Sequence, residues 1–129
     1  MTFDIAALPF ARLMGVEITA ADKDRVEGRL PVRDDLCTAG GILHGGAMMA
    51  FADSLGAVGA FLNLSPGTRT TTLESKTNFI GGAKAGTVVT AVSTPLHVGR
   101  RSSVWQTRLE GEGGKLVALI TQTQMTIEG

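Results

Sequence analysis

Hydrophobic and polar residues alternate in several stretches of this chain, and alternation with a period of two predicts β-strands. Six stretches predict strands, and they are residues 16–19, 26–32, 69–80, 87–98, 102–110 and 117–127. Residues 87–98 do so through a run of β-branched side chains, and the other five do so through alternation. A polar turn at residues 21–24 joins the first two stretches, so we predict a hairpin there. Pro95 interrupts the fourth stretch, which indicates a bulge or an edge position. In the last stretch, the odd-numbered residues from Val117 onward share one face.

Residues 46–62 follow a different pattern, because apolar side chains cover nearly the whole circumference of the helix they would form. Such a helix is buried on most sides. Tight turns join the later strands, which favours antiparallel pairing. We therefore predict an α+β fold in which an antiparallel curved sheet of about six strands wraps around one long central helix. Residues 3–14 predict a short helix with Pro9 near its start or at a kink, and residues 33–43 predict a glycine-rich loop.

The length of 129 residues predicts one domain covering residues 1–129. With 12 basic and 12 acidic residues, the chain gives no electrostatic reason to expect binding to nucleic acid. One cysteine and two histidines are too few for an internal disulfide or a Cys/His zinc site. The N-terminus lacks the features of a secretory signal, and the most hydrophobic run is shorter than the ~20 apolar residues of a membrane span. These features predict a cytoplasmic protein that does not bind membranes.

Asp53 is the one charged residue in the predicted long helix. Burying a carboxylate is costly unless the group is paired or neutralised. Carboxylates held in such places often act as bases or nucleophiles. The structural alternative is that Asp53 lies on an exposed stripe or pairs with an arginine, and the pattern alone leaves both interpretations open.

The segment from Gly40 to Gly46 is rich in glycine and opens the long helix. Glycine lets a ligand approach the backbone closely, and the free N–H groups of a helix start favour developing negative charge. The segment therefore suits an oxyanion hole for a carbonyl under attack, and a flexible loop is the structural alternative. His44 is either a base or a structural imidazole at the helix start, and the structural interpretation is favoured because no partner is visible.

Gly45 and Asp53 are eight residues apart, which corresponds to ~12 Å along a helix. One ester or thioester carbon cannot easily contact both groups of the same chain. If both act in catalysis, the glycine N–H comes from one subunit and the carboxylate from another, and the protein is an obligate dimer.

Ser54 is rejected as a nucleophile because it falls inside the predicted helix, and Cys37 is a lone thiol that we treat as inert.

The run His44-Gly45-Gly46, followed at this spacing by Asp53, resembles the hotdog-fold acyl-CoA thioesterases of the PaaI-like group. The resemblance extends from about residue 13 to the C-terminus. It includes the strand from Thr72 to Phe79 and the Gly-Arg-Arg-Ser turn at residues 99–102. The histidine–glycine motif and its spacing to the aspartate are fairly specific, whereas the strand matches are weak alone.

The resemblance implies hydrolysis of an acyl-CoA thioester to a free acid and coenzyme A, without a metal or redox cofactor. The Gly45 N–H would polarise the thioester carbonyl, and Asp53 of the opposite subunit would be the nucleophile or the general base for water. Thr72 matches a position that helps hold the water or the carboxylate, and His44 matches a histidine that mostly orders the loop. Relatives form dimers that usually pair into tetramers, which implies a homodimer at least and a homotetramer as the full assembly.

The resemblance also implies a set of substrate-binding residues. These are Gly46 of the shared motif, Thr38, Lys84 and the turn residues Arg100, Arg101 and Ser102. The turn falls where relatives often contact coenzyme A. Thr38 stands where many relatives carry an asparagine that contacts the thioester, and threonine has a shorter reach. Lys84 lies in a segment that replaces an Arg-Pro pair of many relatives, so phosphate contact could shift to it.

Two other functions fit the same fold. A non-catalytic hotdog module would bind acyl-CoA as a sensor or partner domain, but an intact Asp53 argues against a purely binding role. A hotdog dehydratase would act on hydroxyacyl thioesters with His44 and Asp53, but the motif matches the hydrolases better. An aromatic or a short to medium-chain acyl group is favoured by the apolar residues Met48, Met49, Phe51 and Phe79.

Overall fold

A computed structural model describes residues 3–129, and the first two residues of the N-terminal stretch lie outside it. The strands are β1 (Glu17–Asp22), β2 (Arg25–Pro31), β3 (Cys37–Thr38), β4 (Ile42–Leu43), β5 (Thr68–Phe79), β6 (Val88–Val98), β7 (Ser102–Glu110) and β8 (Leu116–Glu128). The helices are α1 (Pro9–Met14) and α2 (Gly45–Leu62), and 3₁₀ turns lie at Ile5–Ala7, Asp34–Leu36 and Glu112–Gly114. The six predicted strands and the long helix are all present, and only their ends differ slightly from the prediction.

Six strands form one antiparallel sheet in the order β1-β2-β6-β7-β8-β5. β1 and β2 form the predicted hairpin, and Pro95 lies at a bulge where β6 shifts register against β7. β5 lies at one edge and pairs only with β8, so that Thr72 is opposite Gln124 and Phe79 is opposite Ala118. β5 is 12 residues long, so its outer side presents a long row of backbone groups without a partner strand in the described chain.

The long helix α2 packs on this sheet and contacts all six of its strands. Phe51, Ala52 and Leu55 on this helix are each 0% exposed. By length and composition α2 is apolar enough to cross a membrane, but its packing is that of a core helix. The predicted α+β hotdog architecture is therefore confirmed.

Two glycines of α2 bring the helix close to the sheet. A Cβ atom at Gly59 would overlap the ring of Trp105, and a Cβ atom at Gly56 would overlap the side-chain amide of Gln122. The glycines therefore make room for two large, fully buried side chains of the sheet. This close approach places the middle of α2 within hydrogen-bonding distance of β8.

Two segments near the N-terminus differ from the prediction. The helix expected over residues 3–14 is shorter, because the 3₁₀ turn Ile5–Ala7 comes first and α1 begins only at Pro9. Pro9 occupies the first turn of α1, where its missing N–H costs no hydrogen bond. The loop expected over residues 33–43 contains a 3₁₀ turn and the small β3–β4 ladder.

Candidate active site

Asp53 lies in the third turn of α2 and is half-buried. Its Oδ1 atom accepts two hydrogen bonds, from Thr72 Oγ1 at 2.6 Å and from Gln122 Nε2 at 3.0 Å. Within residues 3–129 no hydrogen bond reaches Oδ2, and Oδ2 is not among the buried unpartnered atoms, so it is accessible to solvent. Both partners of the Asp53 carboxylate are neutral, and none of the ion pairs within the described chain involves Asp53, so no arginine of the same chain pairs with it there.

The contact between Thr72 and Asp53 continues into the sheet through a second glutamine of β8. Gln124 Nε2 donates to Thr72 Oγ1 at 2.6 Å, and Gln124 Oε1 accepts from Thr70 Oγ1 at 2.9 Å. Gln122 and Gln124 are 0% and 1% exposed. The structure thus brings Thr72 to the Asp53 carboxylate, and it adds two glutamines that the sequence analysis did not select.

The helix start forms a second part of the site. His44 is the N-cap of α2, and its Nδ1 atom accepts from the Gly46 N–H at 2.7 Å. The imidazole therefore orders the helix start, which is the structural interpretation. Gly45 is the first residue of α2, and its N–H has no acceptor among the described residues, as expected at this position. Phe79 packs against Gly45, since a Cβ atom there would lie 2.9 Å from Phe79 Cε1.

One chain does not bring Gly45 and Asp53 to the same point. Gly45 contacts the side chain of Phe79 at the end of β5, whereas Asp53 contacts Thr72 nearer to its start. The seven residue steps from Thr72 to Phe79 span ~23 Å of extended strand. Two halves of a candidate site therefore lie along the free edge of the sheet.

The remaining predicted residues lie in two groups. Thr38 and Lys84 are exposed. Each pairs with Ile42, which lies just before the start of α2, so both residues lie near the helix start. Arg100 and Arg101 are exposed in the β6–β7 turn at the opposite end of α2, where they line a cavity of about 490 Å³ together with Asn63. The structure does not bring these two groups together within one chain.

The β6–β7 turn nevertheless connects to the Asp53 side of the site. Ser102 holds this turn by accepting a hydrogen bond from the Gly99 N–H at 2.8 Å on its carbonyl oxygen. Ser103 is paired with Gln124, and Gln124 is paired with Thr72. Two strand spacings, or ~10 Å, therefore separate the end of this turn from Thr72.

Two smaller cavities lie between α1 and α2. One, of about 240 Å³, is lined by Asp53 together with Leu8, Pro9, Phe10, Ala11, Ala50, Ser54 and Ala57. The other, of about 220 Å³, lies at the helix start beside His44 and Gly46. Phe10 lines both cavities and is 62% exposed. The short helix α1 thus supplies an apolar wall next to the carboxylate.

The predicted surroundings of the acyl group need correction. Met48 and Phe51 are 2% and 0% exposed, because they pack in the core rather than lining the cavities beside α2. Phe79 is 56% exposed and lies beside Gly45. Ser54 lies inside α2 and donates to the Ala50 carbonyl at 2.7 Å, which agrees with its rejection as a nucleophile.

The comparisons with known proteins agree on one protein family. The model of the thioesterase superfamily matches residues 40–118. A 1,4-dihydroxy-2-naphthoyl-CoA hydrolase from Escherichia coli is 36% identical over 93 residues, which are 72% of this chain and 68% of that protein. A crystal structure of a thioesterase from Haemophilus influenzae has a TM-score of 0.88 and 30% identity, covering 99% of this chain and 93% of that one.

A further solved structure shares the fold alone. The PaaI protein of the phenylacetic acid degradation operon from Escherichia coli has a TM-score of 0.87 at 21% identity. The match covers 94% of this chain and 86% of that one.

Proposed function

This chain belongs to the thioesterase superfamily and is a thioester hydrolase, and from this premise we propose that it cleaves acyl-CoA with Asp53 as the acting carboxylate. The observation that carries the proposal is the state of that carboxylate. Oδ1 is held by two neutral donors, while Oδ2 is accessible and the residue lines a cavity. In hydrolysis, Oδ2 attacks the thioester carbon itself or removes a proton from the attacking water. On the general-base route the C–S bond breaks, and the leaving coenzyme A thiolate takes up the proton that Asp53 removed from water. On the nucleophilic route the C–S bond breaks as an anhydride forms between Asp53 and the acyl group, and water then hydrolyses this anhydride, which releases the free acid, restores the carboxylate and supplies the proton for the thiolate.

The developing negative charge on the carbonyl oxygen requires a donor, and we assign this role to the Gly45 N–H of a second subunit. The free edge of β5 supports this arrangement. If two β5 strands pair antiparallel about the Ser75–Lys76 peptide, Thr72 of one chain lies opposite Phe79 of the other. Thr72 contacts Asp53 and Phe79 contacts Gly45, so this register would complete two sites per dimer.

The substrate would extend in two directions from the reacting carbon. The cavity of about 240 Å³ beside Asp53 would take the acyl group, and its apolar wall and limited size favour an aromatic or a short to medium-chain group. Arg100 and Arg101 would contact coenzyme A phosphates, since arginine pairs well with phosphate oxygens. Gly46, Thr38 and Lys84 lie near the helix start, where Thr38 would contact the thioester and Lys84 a phosphate.

Release of free thiol from a panel of acyl-CoAs tests the proposal. The panel contains phenylacetyl, benzoyl, hydroxybenzoyl, short and medium aliphatic and 3-hydroxyacyl thioesters, with an enzyme-only sample to correct for Cys37. We expect Asp53→Asn to remain folded and to lower turnover at least ~100-fold. Near-normal turnover of this variant would refute the role of Asp53. Loss of water from the 3-hydroxyacyl thioester without thiol release would indicate a dehydratase instead.

A complementation experiment tests the shared site. Gly45→Pro removes the N–H and fits the backbone, because proline is tolerated at the first helical position and His44 already has φ −61° and ψ 137°, which suit a residue before proline. Its ring also places a Cβ atom against Phe79. Gly45→Ala is the matched control, since it adds a Cβ atom against Phe79 but keeps the N–H. We expect Gly45→Pro to lower kcat about 10²–10³-fold relative to Gly45→Ala. Refolding Gly45→Pro together with Asp53→Asn should restore activity through mixed dimers, and its failure would contradict a site shared between subunits.

A further inference from the structure

We propose that Gln122 and Gln124 of β8 are positioning residues that fix the orientation of the Asp53 carboxylate for attack through Oδ2. The inference rests on the proposed function of Asp53 and adds two residues to it. Neither glutamine lines the cavity beside Asp53, so both would act through the aspartate rather than on the substrate.

The position of Gln122 is built into the packing of α2. Its side chain is 0% exposed, and Nε2 donates to Asp53 Oδ1 at 3.0 Å. The room for this amide exists because Gly56 has no side chain, since a Cβ atom there would overlap Gln122. The helix thus lacks a side chain one turn beyond Asp53, at the place where the amide must pass to reach the carboxylate.

The other amide atom of Gln122 indicates that the residue is not present for packing alone. Oε1 is buried and has no hydrogen-bond partner within the described residues. A buried polar atom without a partner destabilises the folded state, and an apolar side chain of the same length would avoid that cost. The contact from Nε2 to Asp53 is what a glutamine gains at this position.

Gln124 acts on Asp53 through Thr72. Thr70 donates to Gln124 Oε1, Gln124 Nε2 donates to Thr72 Oγ1, and Thr72 donates to Asp53 Oδ1. A hydroxyl has one proton, so a donor pointing at Thr72 Oγ1 leaves that proton for the carboxylate. The hydrogen bonds therefore run in one direction and end on Oδ1, and bonds in such a chain strengthen one another.

The two routes converge on the same carboxylate oxygen. Because Thr72 and Gln122 both donate to Oδ1, rotation of the carboxylate would break two hydrogen bonds, one of them supported by Gln124. Oδ2 is thereby fixed as the free oxygen. Loss of either route should lower the rate of the chemical step while substrate binding is retained.

A double-mutant cycle tests the role of Gln122. Gln122→Met keeps the length and removes the donor, and we expect kcat to fall about 10–100-fold with KM changed less than about twofold. The matched control is Gln106→Met, the same change in a glutamine of β7 whose amide is directed to Thr121. In an Asp53→Asn background, Gln122→Met should change the residual kcat less than about twofold, because the oriented carboxylate is already gone.

The Gln124 route has a milder test that does not disturb the helix contact. Thr70→Val removes the hydroxyl that begins the chain at nearly constant volume, and we expect kcat to fall about threefold, with Thr70→Ser restoring it. Equal losses for Gln122→Met in the wild-type and Asp53→Asn backgrounds, or an unchanged kcat for both single variants, would overturn the inference. If Asp53→Asn itself retains full activity, the proposed function fails instead, so the two failures are distinguishable.

Discussion

Gly59 lies against the indole ring of Trp105, so replacing this glycine with alanine tests how closely α2 approaches the sheet. The added Cβ atom would lie 2.5 Å from Cζ3 and 2.8 Å from Cζ2 of a ring that is 0% exposed. Alanine gains about 1 kcal/mol of helix propensity over glycine. Overpacking a filled core costs about 1–3 kcal/mol and occasionally more. Because these contacts are far too short, we expect Gly59→Ala to lower the free energy of unfolding by about 2 kcal/mol.

Urea unfolding followed by far-UV circular dichroism measures this change, at one protein concentration because association would shift the midpoint. Trp105 is the only tryptophan, so its fluorescence reports the environment of the ring directly. The matched control is the same substitution in a Trp105→Phe background, where the smaller ring leaves room and Gly59→Ala becomes neutral or stabilising. An unchanged or higher midpoint for Gly59→Ala in the wild-type background would refute the close packing of α2 on the sheet.

Two further predictions concern the two ends of the site. His44→Ala removes the acceptor for the Gly46 N–H and should lower the free energy of unfolding by about 1 kcal/mol, whereas His44→Asn should retain most of it; equal urea midpoints for the two variants would contradict a capping role. Phe10→Ala should join the cavities of about 240 and 220 Å³ and raise the preference, measured as the ratio of kcat/KM values, for medium over short acyl-CoA about tenfold. An unchanged ratio would place the acyl group elsewhere.

The sheet and α2 could be predicted because their patterns are long and regular. Three of the four later strands alternate over many residues, which is typical of strands with one covered face, and the fourth is rich in β-branched residues. An apolar run as long as α2 is too long for a single buried strand. The start of the N-terminal helix was harder to predict. The apolar residues of this segment fit a helix from residue 3, but local hydrogen bonding decides where the helix begins. Asp4 accepts from the Ala6 N–H and starts a separate 3₁₀ turn, and α1 then begins at Pro9.

The candidate site likewise contains some residues that the sequence predicts and others that it does not. Asp53 and the glycines of the helix start are visible because their residue types and spacing are unusual in an apolar helix. Gln122 and Gln124 are not, because a strand pattern does not tell which face covers the helix. The odd-numbered face of β8 contains more apolar residues near its end, yet the opposite face carries the glutamines into the core. Phe10 was missed for a related reason, since only the packing of α1 on α2 creates its cavities.

The free edge of β5 also matters before any assembly forms. Until a partner strand covers it, the outer side of the 12-residue strand β5 has unpaired backbone groups, and such an edge can pair with extended segments of other chains. Arg69, Glu74 and Lys76 are exposed along this strand and place charges of both signs on it. An incoming strand without complementary charges would meet like-charge repulsion and unpaired ions. The charges on β5 therefore oppose pairing of this edge with unmatched strands, and substitutions that neutralise them should increase aggregation at high expression even where the mature fold is unchanged.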